Sequence, residues 1–236
     1  MKAVIFGASG LIGDGFLRES LRAPDVTEVV AVVRTPLTLT HPKLRQVQHD
    51  DFLDLTPIAD RLAGADACFW GLGVSSVGMD PQDYERITYG YTTAAVHTLA
   101  AINPNLTFVY VSGGGTDSTE QGRSRWARVK GRTENAVITA FPHGYALRPG
   151  AVRSSYGARS KTPAYRWGSV IATPIIPLLR LLRLSPLLVT STAQLGHVAL
   201  HLARHGSSRH VLENRDIVTL AAAARPKAPE HVRRTP

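Results

Sequence analysis

Three glycines near the amino terminus have the spacing of a phosphate-binding turn. They follow a short apolar run, Lys2–Phe6, and lead into a helical pattern. At such a turn the first glycine permits the sharp change of direction, the second lets a phosphate approach the backbone, and the third lets the helix pack against the strand. The free amides at the helix start would bind a pyrophosphate, whereas a plain strand-to-helix turn is the simpler alternative. The residues predicted to line the phosphates are Gly7, Ser9, Gly10, Leu11, Ile12 and Gly13.

The second apolar run ends at Val33 and is followed by Arg34. Many dinucleotide-binding folds place an acidic residue here, where it binds the ribose 2′-hydroxyl of NAD. An arginine instead matches the 2′-phosphate of NADP. The sequence therefore favours NADP(H) as the cofactor, with NAD as the alternative, and an ordinary surface arginine is the competing interpretation.

Short β-rich runs alternate with longer helical patterns, and several of the runs are almost entirely apolar, as expected of strands buried on both faces. This alternation predicts an α/β fold, a doubly wound parallel sheet of the Rossmann type, with ligands bound at the carboxyl ends of the strands. The predicted strands are Lys2–Phe6, Glu28–Val33, Arg45–Gln48, Ala67–Trp70, Phe108–Val111, Tyr145–Arg148 and His210–Leu212. The predicted helices are Gly13–Ala23, Thr56–Leu62, Asp83–Ala101, Arg125–Ala140, Gln194–Arg204 and Asp216–Ala224.

We predict a single domain over residues 1–224, with 150–190 as a small, variable substrate or lid region and 225–236 as a disordered tail. Prolines interrupt Ala164–Val189, and Arg180 and Arg183 argue against a membrane-spanning helix there. The mixed apolar and basic stretch Tyr165–Arg183 is better interpreted as a lid or a dimer surface than as a membrane-surface element.

The composition is that of a globular protein, with 44% hydrophobic and 19% charged residues among 236. The formal net charge of +9 permits an anionic ligand. Because no basic helix carries base-reading or stacking neighbours, we do not expect nucleic-acid binding. The one cysteine, Cys68, cannot form an internal disulfide, and no signal peptide is visible, so a reducing compartment such as the cytoplasm is expected.

Taken together, the motifs resemble the short-chain dehydrogenase/reductase superfamily, and most of all its small, atypical members related to the epimerase/dehydratase and NmrA-like branches. The resemblance covers nearly all of the chain except the tail. The stretches that carry it are Gly7–Gly13, Asp51-Phe52, Phe69–Gly73, Val109–Gly113, Trp126-x-x-x-Lys130-Gly131, Leu147–Gly150 and Leu212–Ile217.

The resemblance implies roles for the matching positions. Asp51, with Phe52 beside it, would meet the adenine amino group, although Asp51 could simply cap the next turn. Lys130 would hydrogen-bond the nicotinamide ribose, although it could be a surface helix residue. The positions that would line the adenosine are Gly71, Leu72 and Gly73, and those near the nicotinamide are Pro149, Gly150 and Val152. A small-molecule substrate and a monomer or homodimer are also implied.

The catalytic motif of the family is altered in this chain. Family enzymes carry Tyr-x-x-x-Lys on one helix face, where the lysine lowers the pKa of the tyrosine and lets it exchange a proton at neutral pH. Here the tyrosine position holds Trp126, whose indole N–H donates a hydrogen bond but has no accessible proton to release. Ser112 is the candidate for the hydroxyl that orients the substrate, with Thr116 or Ser118 in reserve.

Two functions fit these observations. One is an NADP-dependent oxidoreductase that reduces a carbonyl-like small molecule and takes its proton from water or another tyrosine. The other is a catalytically weak or inactive NADP(H)-binding regulatory or partner-binding protein. The family resemblance favours the enzyme, and the missing tyrosine favours the regulator. The replacement tyrosines considered are Tyr84, Tyr89, Tyr91 and Tyr156.

Three histidines, His197, His201 and His205, are spaced by four on one predicted helix. Such a stripe can bind a metal ion, but no carboxylate accompanies it in the short pattern of a zinc hydrolase. We therefore predict a packed or solvated helix face and no metal site.

Overall fold

The computed structural model describes residues 1–157 and 188–224. Seven of its strands form one sheet in the order β3-β2-β1-β4-β5-β6-β9, and every neighbouring pair is parallel. These strands are β1 (Lys2–Phe6), β2 (Glu28–Val33), β3 (Leu44–Gln48), β4 (Ala67–Trp70), β5 (Thr107–Val111), β6 (His143–Arg148) and β9 (Val211–Glu213). A second, two-stranded parallel sheet pairs β7 (Ala151–Arg153) with β8 (Val189–Ser191). The predicted doubly wound Rossmann fold is confirmed.

Helices connect the strands and cover both faces of the sheet. They are α1 (Leu11–Arg22), α2 (Ala59–Leu62), α3 (Pro81–Glu85), α4 (Tyr91–Ile102), α5 (Arg125–Ala140), α6 (Thr192–His205) and α7 (Asn214–Ala223). Their starts are set by local chemistry, because the carboxylate of Asp80 accepts the first amides of α3 and Ser191 forms a reciprocal capping box with Gln194 at α6.

Alternate residues of the central strands supply two apolar cores, one on each face of the sheet. Along β1, Ala3 and Ile5 belong to the first core, which is completed from α1 and α6. Val4 and Phe6 belong to the second, which is completed from α4 and α5. All four side chains are fully buried. Burial on both faces of the sheet explains why every residue of β1 after Lys2 is apolar.

Small residues let α1 and α6 pack closely on the first face. A Cβ atom added at Gly15 would lie 2.5 Å from the carbonyl oxygen of Thr192, and one at Gly196 would lie 2.5 Å from Cγ of Glu19. Either atom would push the helices apart, because these distances are shorter than a normal van der Waals contact.

Most predicted elements agree with the structure, and β1, β2, β4 and α5 have the predicted bounds. The single predicted helix Asp83–Ala101 is wrong in detail, since α3 and α4 are joined by a π-helical segment, Arg86–Gly90. The pair β7–β8 was not predicted, because three-residue strands leave no periodic signal. Most of the predicted lid region, including Tyr165–Arg183, and the predicted tail at 225–236 lie outside the described residues.

Candidate active site

The glycine turn brings three backbone segments into contact. Gly7 has a φ of +76°, and a Cβ atom there would lie 2.6 Å from the amide nitrogen of Leu72. A Cβ atom at Gly13 would lie 2.0 Å from the Gly7 carbonyl oxygen, and one at Gly71 would lie 2.8 Å from the Gly13 amide nitrogen. Only glycines allow the turn, the start of α1 and the loop after β4 to meet in this way.

The start of α1 is left without a side-chain cap. Gly10 occupies the N-cap position in an extended conformation and, having no side chain, forms no side-chain cap hydrogen bond. Leu11 and Ile12 form the first turn and are partly buried, while Ser9 is exposed. An uncapped helix start at the carboxyl edge of a parallel sheet suits an anionic group such as a pyrophosphate.

Arg34 lies directly after β2, at the same edge of the sheet. The parallel register pairs Phe6 with Val32, so Arg34 leaves its strand at the level where Gly7 and Ala8 leave theirs. Its side chain is exposed and makes no hydrogen bond or ion pair with any residue that the structure describes. The guanidinium group is therefore available to an anion.

The segment after β3 holds the two predicted adenine-site residues in different environments. Asp51 is exposed, and its carboxylate accepts a hydrogen bond of 2.9 Å from the Leu53 amide, so it caps the turn. Phe52 is 3% exposed and packs its ring against Phe6 and Tyr91 at centroid distances of 6.1 and 5.7 Å. The ring of Phe52 therefore belongs to the second core.

Leu72 and Gly73 continue the loop after β4, where Leu72 is partly buried against the second core and Gly73 is exposed. A Cβ atom at Gly73 would meet nothing within 4 Å in the described structure. The surface beside the glycine turn is therefore open at this point.

Lys130 lies on α5 and points toward the end of β5. Its ammonium group donates to the carbonyl oxygen of Ser112, and a Cβ atom added at Gly113 would lie 3.9 Å from its Nζ. Burial lowers the pKa of Lys130 to about 8, while the nearby carboxylate of Glu134 opposes the shift. Lys130 is thus a partly desolvated cation rather than a freely solvated surface residue.

The hydroxyl of Ser112 is engaged on the inner side of the loop. Its Oγ donates to Oε1 of Glu134 at 2.5 Å and lies 3.2 Å from the Leu147 carbonyl oxygen. The side chain is 5% exposed. To orient a substrate, this hydroxyl would have to break its hydrogen bond to Glu134. The next residue, Gly113, lies beside Lys130 and has no side chain.

A buried ion pair that sequence reasoning missed joins α5 to β6. Glu134 is 0% exposed, and its two carboxylate oxygens accept from Nη2 and Nε of Arg148 at 2.6 and 2.9 Å. Ser118 Oγ adds a donor at 2.9 Å to Oε2. The hydrogen bond from Arg148 to Glu134 raises the pKa of the guanidinium group further, which keeps Arg148 charged.

The loop between β5 and α5 is packed directly on the helix. A Cβ atom at Gly131 would lie 1.8 Å from the Asp117 carbonyl oxygen, so the residue after Lys130 must be small. Hydrogen bonds from Thr119 and Gly122 to the Asp117 carboxylate lower its pKa and close the loop. The reserve hydroxyl of Thr116 donates within the loop, to the Gly113 carbonyl oxygen at 2.8 Å.

Trp126, which the sequence resemblance aligns with the family's tyrosine, lies in the first turn of α5. It is partly buried, and its Cη2 and Cζ2 atoms would lie 3.5 and 3.9 Å from a Cβ atom at Gly115. The indole therefore packs beside the glycine-rich loop, and it carries no O–H group that could release a proton.

The four tyrosines considered as replacement acids have other contacts. Tyr84 is buried, at 3% exposure, and Tyr89 lies under Arg132, whose Cζ is 3.7 Å from the ring centroid. Tyr91 accepts from Arg86, and Tyr156 donates to Glu19 on α1. Among the described residues, no hydrogen bond or ring contact joins Tyr89, Tyr91 or Tyr156 to Lys130.

The segment after β6 is held at the carboxyl edge of the sheet by one backbone hydrogen bond and by one hydrogen bond to the side-chain oxygen of Asn214. The Pro149 carbonyl accepts from the Gly114 amide at 2.9 Å, and the Gly150 amide donates to Asn214 at 2.8 Å. Val152 is partly buried against the first core. The structure thus brings the β5 loop and the β6 loop together beside Lys130.

The histidine stripe on α6 has structural contacts. His197 Nε2 lies 2.8 Å from the carboxylate of Glu19, and the rings of His201 and His205 lie 4.9 Å apart. Within the described part of the chain, no group of three histidine, cysteine or acidic side chains could hold a metal ion.

No protein-family model and no curated protein matches the chain. Solved structures do resemble it. An oxidoreductase of the short-chain dehydrogenase/reductase family from Burkholderia thailandensis aligns with a TM-score of 0.67 at 17% identity, covering 92% of each chain. The Bordetella bronchiseptica enzyme WbmF in complex with NAD+ aligns with a TM-score of 0.64 at 17% identity, covering 94% of this chain and 77% of the other.

A double mutant of DesIV, a dTDP-glucose 4,6-dehydratase from Streptomyces venezuelae with NAD and DAU bound, aligns with a TM-score of 0.60 at 17% identity over 94% of this chain and 81% of the other. The likeness shows that the chain shares the Rossmann fold of these enzymes, as the sequence resemblance implied. In residues 1–157 and 188–224, no helix is long and apolar enough to cross a membrane.

Proposed function

We propose that this chain is an NADP(H)-binding oxidoreductase of the atypical short-chain dehydrogenase/reductase type that reduces a carbonyl-like small molecule. The observation that carries the proposal is the close contact of Gly7, Gly13 and Gly71 below an uncapped helix start. A Cβ atom at any of the three would lie within 3 Å of another backbone atom. This arrangement fits a dinucleotide pyrophosphate.

In the proposed complex, each end of the cofactor meets a separate set of residues. The glycine turn and the first amides of α1 bind the pyrophosphate, and Arg34 pairs with the 2′-phosphate. Lys130 binds the nicotinamide ribose. The residues beside the adenosine are Asp51, Phe52, Gly71, Leu72 and Gly73, and those beside the nicotinamide are Pro149, Gly150 and Val152. When bound, NADPH supplies a hydride, and the carbonyl oxygen then needs one proton.

The chain itself offers few proton donors at the reacting end. Trp126 stands where the resemblance places the family's acid, and Gly113, the residue after Ser112, has no side chain that could donate a proton. The Nζ of Lys130 holds a proton below its pKa of about 8. We infer that the proton comes from water or from the Lys130 ammonium group, since a lysine with a pKa near neutrality can act as an acid.

The same substitution supports a second candidate function. A chain that keeps the cofactor cradle but places Trp126 at the acid position suits a catalytically weak NADP(H)-binding regulatory or partner-binding protein. The proposed setting for either function is a reducing compartment such as the cytoplasm, which is compatible with the free and fully buried thiol of Cys68. Either function fits a monomer or a homodimer.

A titration of the purified chain with NADPH, followed by nicotinamide fluorescence, tests the proposal first. We expect saturable binding, and we expect Gly10→Ala to weaken it about tenfold, equal to about 1.4 kcal/mol, because the new methyl group would stand in the path of the phosphate. Gly64→Ala is the control, since Gly64 lies outside the proposed site and a methyl group there meets no described atom within 4 Å; its positive φ of +70° can affect stability but not the path of the phosphate. Absence of binding by the unaltered chain would contradict the proposal.

Adding aldehydes, ketones and quinones to the NADPH complex then separates the two functions. Loss of NADPH absorbance that depends on one of these compounds supports the oxidoreductase, and binding without turnover supports the regulator. Arg34→Asp is expected to lower the affinity for NADPH relative to NADH. An unchanged ratio of the two affinities would refute the assignment of NADP.

A further inference from the structure

The segment between β2 and β3 is folded back on the sheet by two glutamine side chains. Gln46 and Gln48 lie on the same face of β3, in register with Ala31 and Val33 of β2. That face is the one covered by α1, because Ala31 and Val33 belong to the first core. Both glutamines therefore lie on the α1 side of the sheet, next to the segment that connects Arg34 to β3.

Gln46 fixes the middle of this segment. Its Oε1 accepts from the Leu37 amide at 2.7 Å, and its Nε2 donates to the carbonyl oxygens of Leu37 and Leu39 at 3.1 and 3.3 Å. Leu37 and Leu39 pack, partly buried, against the first core, as does Ile12 in the first turn of α1. The segment is thus held by both polar and apolar contacts on the side of the glycine turn.

Gln48 fixes the start of the segment. Its Nε2 donates to the carbonyl oxygen of Arg34 at 3.1 Å. The backbone of Arg34 is therefore anchored, while its guanidinium group is exposed and has no partner among the residues that the structure describes. This is the arrangement expected of a cation that is held ready for a ligand, because the ordering of its backbone has been completed before binding.

We propose that Gln46 and Gln48 are positioning residues for recognition of a 2′-phosphate: their side-chain amides hold the segment that presents Arg34 beside the glycine turn. This inference rests on the proposed binding of NADP(H). It assigns a function to two strand residues that have no direct contact with the cofactor in the proposed complex. The ligand class they serve is a ribose 2′-phosphate monoester, and they contribute nothing to binding of the 2′-hydroxyl form.

The test compares NADPH and NADH affinities by fluorescence titration for Gln48→Met and for the double variant Gln46→Met/Gln48→Met. Methionine keeps the length of the side chain and removes the amide. We expect NADPH affinity to fall about threefold for the single variant and about tenfold for the double variant, as for the loss of one and several net hydrogen bonds. NADH affinity should be unchanged. Gln82→Met is the control, because Gln82 is exposed and its side chain has no described hydrogen bond.

An Arg34→Ala background decides whether the glutamines act through the arginine. If they do, Gln48→Met has no further effect on NADPH affinity once Arg34 is replaced. An equal fall for NADPH and NADH, or an effect that persists without Arg34, would overturn the inference and leave the proposed function intact. If Arg34→Ala itself leaves the ratio of NADPH to NADH affinity unchanged, both the NADP assignment and this inference are wrong. Thermal melting of each variant verifies that it is folded.

Discussion

The two ends of the proposed cofactor site differ in the groups that they offer to a ligand. The adenosine end consists mainly of backbone: three glycines in contact, an uncapped helix start and one exposed arginine, Arg34. The proposed nicotinamide end contains partly or fully buried charges: Ser112 links Lys130 to Glu134, and Glu134 pairs directly with Arg148. The first end requires the absence of side chains, and the second requires particular side chains with matched charges.

Because of this difference, we expect amino-acid substitutions at the two ends to have different effects. A phosphate turn made of backbone atoms has few acceptable sequences, and the chain keeps all of its glycines. The proposed reacting end has the ion pair of Glu134 with Arg148 near Lys130, but Trp126 stands at the position that the sequence resemblance aligns with the family's tyrosine. In the proposed site the groups that would hold the cofactor are therefore present, while Lys130 is the one proposed group that would move a proton.

The largest effect is expected at the buried ion pair. In Glu134→Gln the new amide nitrogen would face donors of Arg148 and Ser112 or Ser118, and the guanidinium group would lose its buried partner. We expect a loss of about 3–5 kcal/mol in the free energy of unfolding, measured by chemical denaturation. Glu85→Gln is the matched control.

Glu85 also contacts two arginines, at 3.3 and 3.1 Å, but its side chain is 35% exposed. Replacing it should cost no more than about 1 kcal/mol, because solvent screens exposed pairs. Equal losses for the two variants would contradict the view that the pair at Glu134 supports the nicotinamide end.

The second effect is at the glycine contacts of the adenosine end. Gly13→Ala places a methyl group 2.0 Å from the Gly7 carbonyl oxygen, so the turn must shift. We expect a loss of about 1–3 kcal/mol in the free energy of unfolding together with loss of NADPH binding. Gly64→Ala separates steric contact from backbone strain, since Gly64 has a φ of +70° but open space around it. If both variants lose stability but keep NADPH binding, the turn is structural only.

Sequence reasoning succeeded where one short segment determines the structure. The strands β1, β2 and β4 were predicted with the right bounds because burial on both faces requires continuous apolar runs. The pairing of Glu134 with Arg148 was missed because a glutamate four residues after Lys130 is typical of a solvent-exposed helical ion pair. Its burial depends on the β5 loop and on β6, which are distant in sequence. The signal that was present is the arginine directly before Pro149, at a strand end.

The pH dependence of NADPH binding tests the reacting end. Because the pKa of Lys130 is lowered to about 8, its ammonium group is charged below that pH and loses its charge as the pH rises through it. We expect NADPH affinity to fall about tenfold between about pH 7 and pH 10, as for the loss of a hydrogen bond from a charged group. Lys130→Arg should show no such transition, since its guanidinium group stays charged. A transition of the same size in both proteins would exclude Lys130 as its cause.

The smallest effect is expected at Asp51, where the adenosine end depends on a side chain rather than on backbone. Asp51→Asn keeps an oxygen that can accept from the Leu53 amide, so the turn should persist, but it removes the charge that would face the adenine amino group. We expect NADPH affinity to fall about threefold, or about 0.6 kcal/mol, in a fluorescence titration. Asp54→Asn is the matched control, because Asp54 caps the next turn through the Thr56 amide at 2.9 Å. If both variants bind NADPH like the unaltered chain, Asp51 is only a turn cap, and the adenosine end is recognised through backbone and Arg34.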